Sequence, residues 1–178
     1  MRTLLHVCCA PCALGVIDNV QRDNDITLYF YNPNLYPFKE YEKRLDALKE
    51  VVERAYPDLQ IIEGDFDDAL FYARVLGLEE EKEGGTRCAA CIRLRMEMTA
   101  KYAKENGFEA FTTTLSVSPH KSYPLINKIG KELEEIYNIK FIDTDFKKKD
   151  GFLKSTKRSK EMGIYRQNYC GCKFSKHD

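Results

Sequence analysis

Seven cysteines stand in three tight groups: Cys8-Cys9-Ala10-Pro11-Cys12, Cys88-Ala89-Ala90-Cys91 and Cys170-Gly171-Cys172. Each group is short enough to aim two thiolates at one point. The groups lie at the beginning, middle and end of the chain, so only folding can bring them together. A shared metal or iron–sulfur centre is the economical chemistry for such a pattern. A four-cysteine zinc site and a [4Fe-4S] cube each take four thiolates. Four of the seven cysteines in the sequence would fill one such site. The surplus implies a second metal sharing ligands, or a dithiol reserved for electron transfer. An odd number of thiols also excludes a fully paired disulfide framework within one chain.

Each group has its own reading. Cys8, Cys9 and Cys12 fall on a strand-to-helix turn, where neighbours sit too close in the chain to bridge one another and suit adjacent metal atoms instead. Cys12 opens a helix, whose N-terminal dipole favours thiolate over thiol. Cys88 and Cys91 form C-x-x-C at the start of a long helix, behind Glu83-Gly84-Gly85-Thr86-Arg87. This is open to zinc, an iron–sulfur cluster or a thioredoxin-like dithiol, the last weakened because a glycine-rich loop precedes it. In Cys170-Gly171-Cys172 the glycine lets both thiols point one way. That pair completes the centre, serves as a nearby redox pair, or closes a strained disulfide. Asp67, past the third strand, and Asp145, past the fifth, would emerge at the same sheet edge as candidate carboxylate ligands or acids. Each also reads as an ordinary cap or turn residue. His6 reads as a core residue, His120 as a loop residue and His177 as part of the tail.

The elements that must position these groups follow from periodicity and turn chemistry. Short apolar or β-branched runs predict strands at about 3–8, 26–31, 59–63, 109–114 and 140–143. Helical patterns fall at about 12–21, 39–55, 67–76, 89–105, 123–137 and 151–162. Asp65 and Ser122 are candidate N-caps, and Asn106-Gly107 ends a helix. Asn32-Pro33-Asn34 and Tyr36-Pro37 interrupt regular structure after the second strand. Alternation of strand and helix predicts an α/β fold, a five-stranded parallel sheet with helices on both faces. With strand order 3-2-1-4-5, Cys8 and Cys9 and the run Thr112-Thr113-Thr114-Leu115-Ser116 flank the switch point, where open α/β sheets bind ligands.

Composition supplies the remaining bounds. The 178 residues with 43% hydrophobic content predict one domain, 1–178, with a real core and no need of disulfide staples. Clustered cysteines without a signal peptide or membrane span predict a reducing cytoplasm. Formal charge is zero, but from Lys140 onward 11 Lys and Arg face 5 Asp and Glu. Lys147-Lys148-Lys149, Lys154, Lys157, Arg158, Lys160, Arg166, Lys173 and Lys176 alternate there with Phe146, Phe152, Tyr165, Tyr169 and Phe174. This is the composition of a surface meeting phosphates and stacked bases, or of a solvated lysine-rich helix. No G-x-G-x-x-G or Walker signature occurs, so neither a nicotinamide cofactor nor ATP hydrolysis is supported.

Six motifs in order carry a resemblance. They are Leu5-His6-Val7-Cys8-Cys9-Ala10-Pro11-Cys12; Tyr31-Asn32-Pro33-Asn34 with Glu40-Tyr41 and Arg44; Arg87-Cys88 with Cys91; Thr112-Thr113-Thr114-Leu115 with Ser118-Pro119 and Lys121; Asp145-Phe146-Lys147-Lys148; and Tyr165-Arg166-Gln167 with Tyr169-Cys170-Gly171-Cys172. Over nearly its whole length the chain resembles the cobalamin-independent epoxyqueuosine reductase family. The resemblance implies an adenine-nucleotide-hydrolase-like (HUP) fold and reductive removal of the epoxide oxygen from epoxyqueuosine at the wobble position of a tRNA anticodon. It also implies a [4Fe-4S] cluster with a further iron beside it, held by cysteine and carboxylate. Mapped onto this sequence, Cys8, Cys9, Cys12, Cys88 and Cys91 are the metal candidates. Asp67, Asp145, Cys170 and Cys172 are the catalytic candidates, and Asn34, Thr113, Thr114, Ser118, Lys121, Arg166 and Tyr169 are expected to hold substrate and RNA. An external electron donor is required. The competing class is an RNA-binding module without catalysis, stabilised by zinc on four cysteines. A tRNA sulfur transferase would need an ATP-binding loop where this chain has Cys-Cys-Ala-Pro-Cys.

Overall fold

In a computed structural model, residues 1–118, 121–143, 145 and 150–176 are described. Five strands, β1 (Arg2–His6), β2 (Asp25–Phe30), β3 (Ile61–Glu63), β4 (Ala110–Thr113) and β5 (Lys140–Phe141), form one sheet in the order β3-β2-β1-β4-β5. Every pairing is parallel, with Thr3 opposite Ile26 on one side and Ala110 on the other. The helices are α1 (Ala10–Leu14), α2 (Ile17–Gln21), α3 (Phe38–Ala55), α4 (Asp68–Arg74), α5 (Thr86–Glu105), α6 (Tyr123–Tyr137) and α7 (Gly151–Met162).

Strand alternation sorts the core into two layers. Leu5, Val7, Leu28 and Phe30 face one way, onto Leu14 and Ile17 of the first two helices and Leu45, Leu48 and Val51 of α3. Leu4, Tyr29, Tyr31 and Phe111 face the other way, onto Phe71 of α4, Leu94 and Met96 of α5 and Ile129 and Leu133 of α6. The sheet is therefore covered on both faces, as expected for parallel strands with buried backbones.

Three local expectations are corrected. The helix expected over 12–21 is two short helices broken at Gly15. A Cβ there would sit 2.3 Å from the Gly151 carbonyl oxygen, so the break lies where the start of α7 packs against α1. Asp65 is not a helix cap; Asp67 is, its Oδ1 accepting from Leu70 N at 3.2 Å. The fourth strand stops at Thr113, because Thr114 turns into the α region (φ −86°, ψ −2°) and starts a 3-10 turn, Leu115–Val117. Ser122 caps α6 as expected, and Asn106 and Gly107 end α5. The expectations for Phe146, Lys147, Lys148, Lys149, His120 and His177 lie outside the described residues.

His6 is fully buried in β1, between Thr113 Oγ1 at 2.9 Å and the Tyr31 carbonyl at 2.9 Å. Burial first, then the Arg95 charge, lowers its pKa from 6.5 to about 4. The unfolded chain thus binds the proton more readily between those values. Stability is complete above about pH 6.5 and is expected to fall by about 3 kcal/mol as pH drops towards 4. Denaturant unfolding across this range, with His6→Asn as reference, should show the loss in the parent chain and less of it in the variant.

Candidate metal centre

The carboxyl ends of β1 and β4 lie side by side, and the next residue of each strand-end segment meets the other. Cys8 N donates to Thr114 Oγ1 at 3.1 Å, and the Cys8 sulfur lies 3.2 Å from the same hydroxyl. The turn into α1 then folds the first thiol group onto itself. The sulfurs of Cys8, Cys9 and Cys12 all lie within 4.8 Å of one another, with Cys8 and Cys9 3.9 Å apart. The Cys12 and Cys9 thiols, by hydrogen bonding to it, hold the Cys8 sulfur well below the usual thiol range against the effect of burial. The Cys8 and Cys9 sulfurs and burial push Cys12 well above that range. Three mutually close sulfurs, one of them biased towards thiolate, suit a soft metal ion that displaces the remaining protons.

The second group arrives on α5. This helix starts at Thr86, so Cys88 and Cys91 occupy its first two turns on one face. Gly84 N donates to the Cys88 sulfur at 3.2 Å. Burial pushes the Cys91 thiol up, opposed by the charge of Arg95. The third group is held from α3. Arg44 donates to the carbonyls of Cys170 at 2.9 Å and Tyr169 at 3.0 Å, while its Nε binds Glu40 at 2.9 Å. Tyr165 closes this network by donating to Glu40 at 2.8 Å. Gly171 sits at φ +129°, and a Cβ there would come within 2.5 Å of Leu35 and 2.7 Å of Arg44. Glycine is therefore required between the two thiols for reasons of backbone and of space.

These three segments enclose a cavity of about 580 Å³ whose wall includes Cys8, Cys9, Cys12, Cys88 and Cys170. A smaller inner chamber carries Cys88, Cys91, Cys170 and Cys172. Cys88 and Cys170 border both, so residues of all three cysteine groups line two adjoining spaces. All seven cysteines are free here, Cys170 and Cys172 included. Ser118, Lys121, Arg166 and Tyr169 line the outer cavity, and Asn34 lines the inner one. Lys121 Nζ donates to the Cys170 sulfur at 3.3 Å. Burial works against its charge, but Cys170, Cys8 and Cys91 hold its pKa above the usual lysine range.

Other expected site residues lie elsewhere. Thr113 faces His6 and accepts from Leu115 N at 3.2 Å, so it braces the core and does not line the cavity. Thr114 orients Cys8. Asp67 is engaged as the cap of α4, and neither it nor Asp145 lines the cavity or the chamber. Among the described lining residues, the carboxylate is Glu83, in the loop before Cys88. The tail is also partly spent on packing. Arg158 binds Asp18 at 3.1 Å and lies over the Tyr56 ring, and Phe174 stacks under Arg87. Lys154, Lys157 and Lys160 remain exposed on α7, and Phe152, 43% exposed, stands on the cavity wall.

Two buried arginines were given no role by the sequence. Arg44 holds the C-terminal thiol segment, and Arg95 lines both cavity and chamber. The signal for Arg95 was its spacing, four residues after Cys91 and therefore on the same helix face.

Thiols gathered at the switch point of a doubly wound parallel sheet make this an α/β protein with a cysteine group that could bind a metal. A family model described as epoxyqueuosine reductase QueH matches residues 3–178. A Thermotoga maritima protein named epoxyqueuosine reductase QueH is 42% identical over 173 residues, spanning 97% of this chain and 88% of its own. A Streptococcus pyogenes serotype M1 protein of the same name is 39% identical over 176 residues, spanning 97% and 69% respectively. One from Staphylococcus epidermidis is 38% identical over 180 residues, spanning 98% and 76%. The chain therefore belongs to the epoxyqueuosine reductase QueH family, a family of oxidoreductases.

Proposed function

We propose that this chain reduces epoxyqueuosine to queuosine at the wobble position of a tRNA, using an iron–sulfur centre held by the converging thiols. The observation that carries the reading is the meeting of all three cysteine groups at the carboxyl edge of the sheet. The donor set fits the group: soft thiols, three of them within 4.8 Å of one another, with further thiols across the same cavity. The cluster ligands would come from among Cys8, Cys9, Cys12, Cys88 and Cys91. Cys170 and Cys172 would serve an adjacent iron or the passage of electrons. Glu83 is the carboxylate the cavity itself offers, ahead of Asp67 and Asp145. When bound, such a centre supplies single electrons from an external donor and, at an iron with an open position, Lewis acidity.

Opening an epoxide to an alkene consumes two electrons and two protons, breaks both carbon–oxygen bonds and releases the oxygen as water. The residues of the chain bind and orient for this chemistry. A cavity of about 580 Å³ has the volume of a small-ligand site and suits one splayed-out nucleoside. Ser118, Arg166 and Tyr169 offer hydrogen bonds and charge along its wall, and Asn34 offers an amide deeper in. Lys121, kept cationic beside Cys170, balances negative charge where the oxygen departs. Phe152 at the cavity and the exposed lysines of α7 suit the stacked bases and phosphates of a single-stranded anticodon loop. The reducing cytoplasm suits free thiols, and among the described residues no helix is long and apolar enough to cross a membrane.

Protein purified without oxygen is expected to be brown, to contain iron and sulfide, and to convert epoxyqueuosine in tRNA when a chemical reductant is supplied. Colourless protein with one zinc and no turnover would replace this reading by an RNA-binding module. The tRNA interface has its own test. If Lys154, Lys157 and Lys160 each meet one single-strand phosphate, affinity should fall roughly 20-fold between about 50 and 200 mM salt, and a flat response would exclude the α7 lysines.

A further inference from the structure

Of the buried arginines, Arg44 has a carboxylate and Arg87 has three loop carbonyls for company. Arg95 has neither. It is 4% exposed, its Nη1 reaches Asn32 Oδ1 at 3.3 Å, and its Nε has no partner. Asn32 is itself fixed, donating to the Val7 carbonyl at 3.0 Å. No carboxylate pairs with Arg95 among the described residues. The groups near its charge that can become anions are sulfurs, Cys91 one turn back on the same helix, Cys170 from the C-terminal segment and Cys8 from the first turn, and the Lys121 cation shares them. These sulfurs come from all three cysteine groups, and Arg95 borders both the outer cavity and the inner chamber.

A guanidinium does not lose its proton in a protein. Buried without an anion it is strongly unfavourable, so its position is reasonable only if the sulfurs around it are negative. Thiolates bound to a metal meet that demand, and they meet it permanently.

We propose that Arg95 is the fixed counter-charge of the thiol centre, favouring a net-negative metal–thiolate group and raising its reduction potential. Reduction adds an electron to a group that already carries negative charge. A cation held close by in a water-poor interior favours the more negative state, and the effect is larger there than at the surface. Arg95 acts through the sulfurs and is a positioning residue. Its contribution should therefore appear in the potential of the centre itself, independently of substrate turnover. The inference rests on the iron–sulfur reading given above.

The experiment compares parent protein, Arg95→Met and Arg95→Lys, each purified without oxygen. Iron and sulfide are counted, folding is checked by circular dichroism, and the midpoint potential is measured by an EPR-monitored redox titration. Arg95→Met is expected to hold iron at the parental stoichiometry but to be harder to reduce. At a fixed potential its reduced-to-oxidised ratio should fall at least tenfold, a downward shift of about 59 mV for one electron. Arg95→Lys, which keeps the charge, should stay near the parent. An iron-loaded Arg95→Met with an unmoved potential overturns the proposal. So does an Arg95→Lys protein displaced as far as the methionine variant, since charge would then not be the cause. Should Arg95→Met fold poorly or hold no iron, Arg95→Lys decides alone. Loading at the parental potential supports the proposal, and failure to load, or a lowered potential, overturns it. A parent protein without iron would sink the iron–sulfur reading first and this inference with it, a failure distinct from a loaded centre whose potential ignores Arg95.

Discussion

Cys91→Ser, prepared without oxygen, is expected to lose both the visible absorption of the proposed iron–sulfur centre and epoxide reduction. Cys9→Ser is expected to do the same, although 82 positions separate the two residues in the sequence. The physical reason is ligand chemistry. A thiol gives up its proton to a soft metal and binds as thiolate, whereas a serine hydroxyl stays protonated and is a hard, weak donor. Burial pushes the Cys91 thiol up, so metal binding has to supply its deprotonation. The substitution is nearly isosteric, which keeps the packing between α5 and the sheet. Iron and sulfide analysis beside a far-ultraviolet spectrum separates loss of the centre from loss of fold. A variant that keeps both the absorption and the turnover would remove that residue from the centre.

Arg44→Ala is expected to lower stability by about 3–5 kcal/mol, because it leaves the Glu40 carboxylate buried without its cation. Arg44 is 3% and Glu40 7% exposed, so water cannot replace the lost partner without local opening. The same guanidinium holds the carbonyls of Tyr169 and Cys170. The variant should therefore also bind iron more weakly, as the Cys-Gly-Cys segment comes loose from α3. Urea unfolding measures the first effect and iron retention under a chelator the second. The double variant Glu40→Leu/Arg44→Met removes both charges together and should be more stable than Arg44→Ala, as expected where the lone buried charge is the cost. An unchanged unfolding midpoint in Arg44→Ala would show that other contacts hold the C-terminal segment.

Much of this protein was legible before folding was considered. Alternation of short apolar runs with helical patterns implied a parallel α/β sheet, and the order assumed for it is the observed one, β3-β2-β1-β4-β5. What misled was local chemistry that two segments had equal claim to. Asp65 and Asp67 both suit a helix cap, and only the path of the chain after β3 gives the role to Asp67. Gly15 gave no sign that α7 would pack against it. The basic, aromatic tail read as an RNA surface or a solvated lysine-rich helix, but Tyr165, Phe174 and Arg158 are engaged by Glu40, Arg87 and Tyr56. Composition reports which groups are available, and packing decides which of them remain available to a ligand.

By itself the sequence determined the thiol groups that could bind a metal, the family and the order of elements. Thiol softness, short cysteine spacing and hydrophobic period are properties of residues and near neighbours, and no fold is needed to read them. The tertiary structure alone decided which charges stand beside those thiols. Arg44 meets Cys170 across 126 positions and Arg95 meets Asn32 across 63, while Asp67 and Asp145 are kept out of the cavity and Glu83 is admitted. An electrostatic environment depends on distance and burial between segments remote along the chain, and those quantities exist only once the sheet has closed over them.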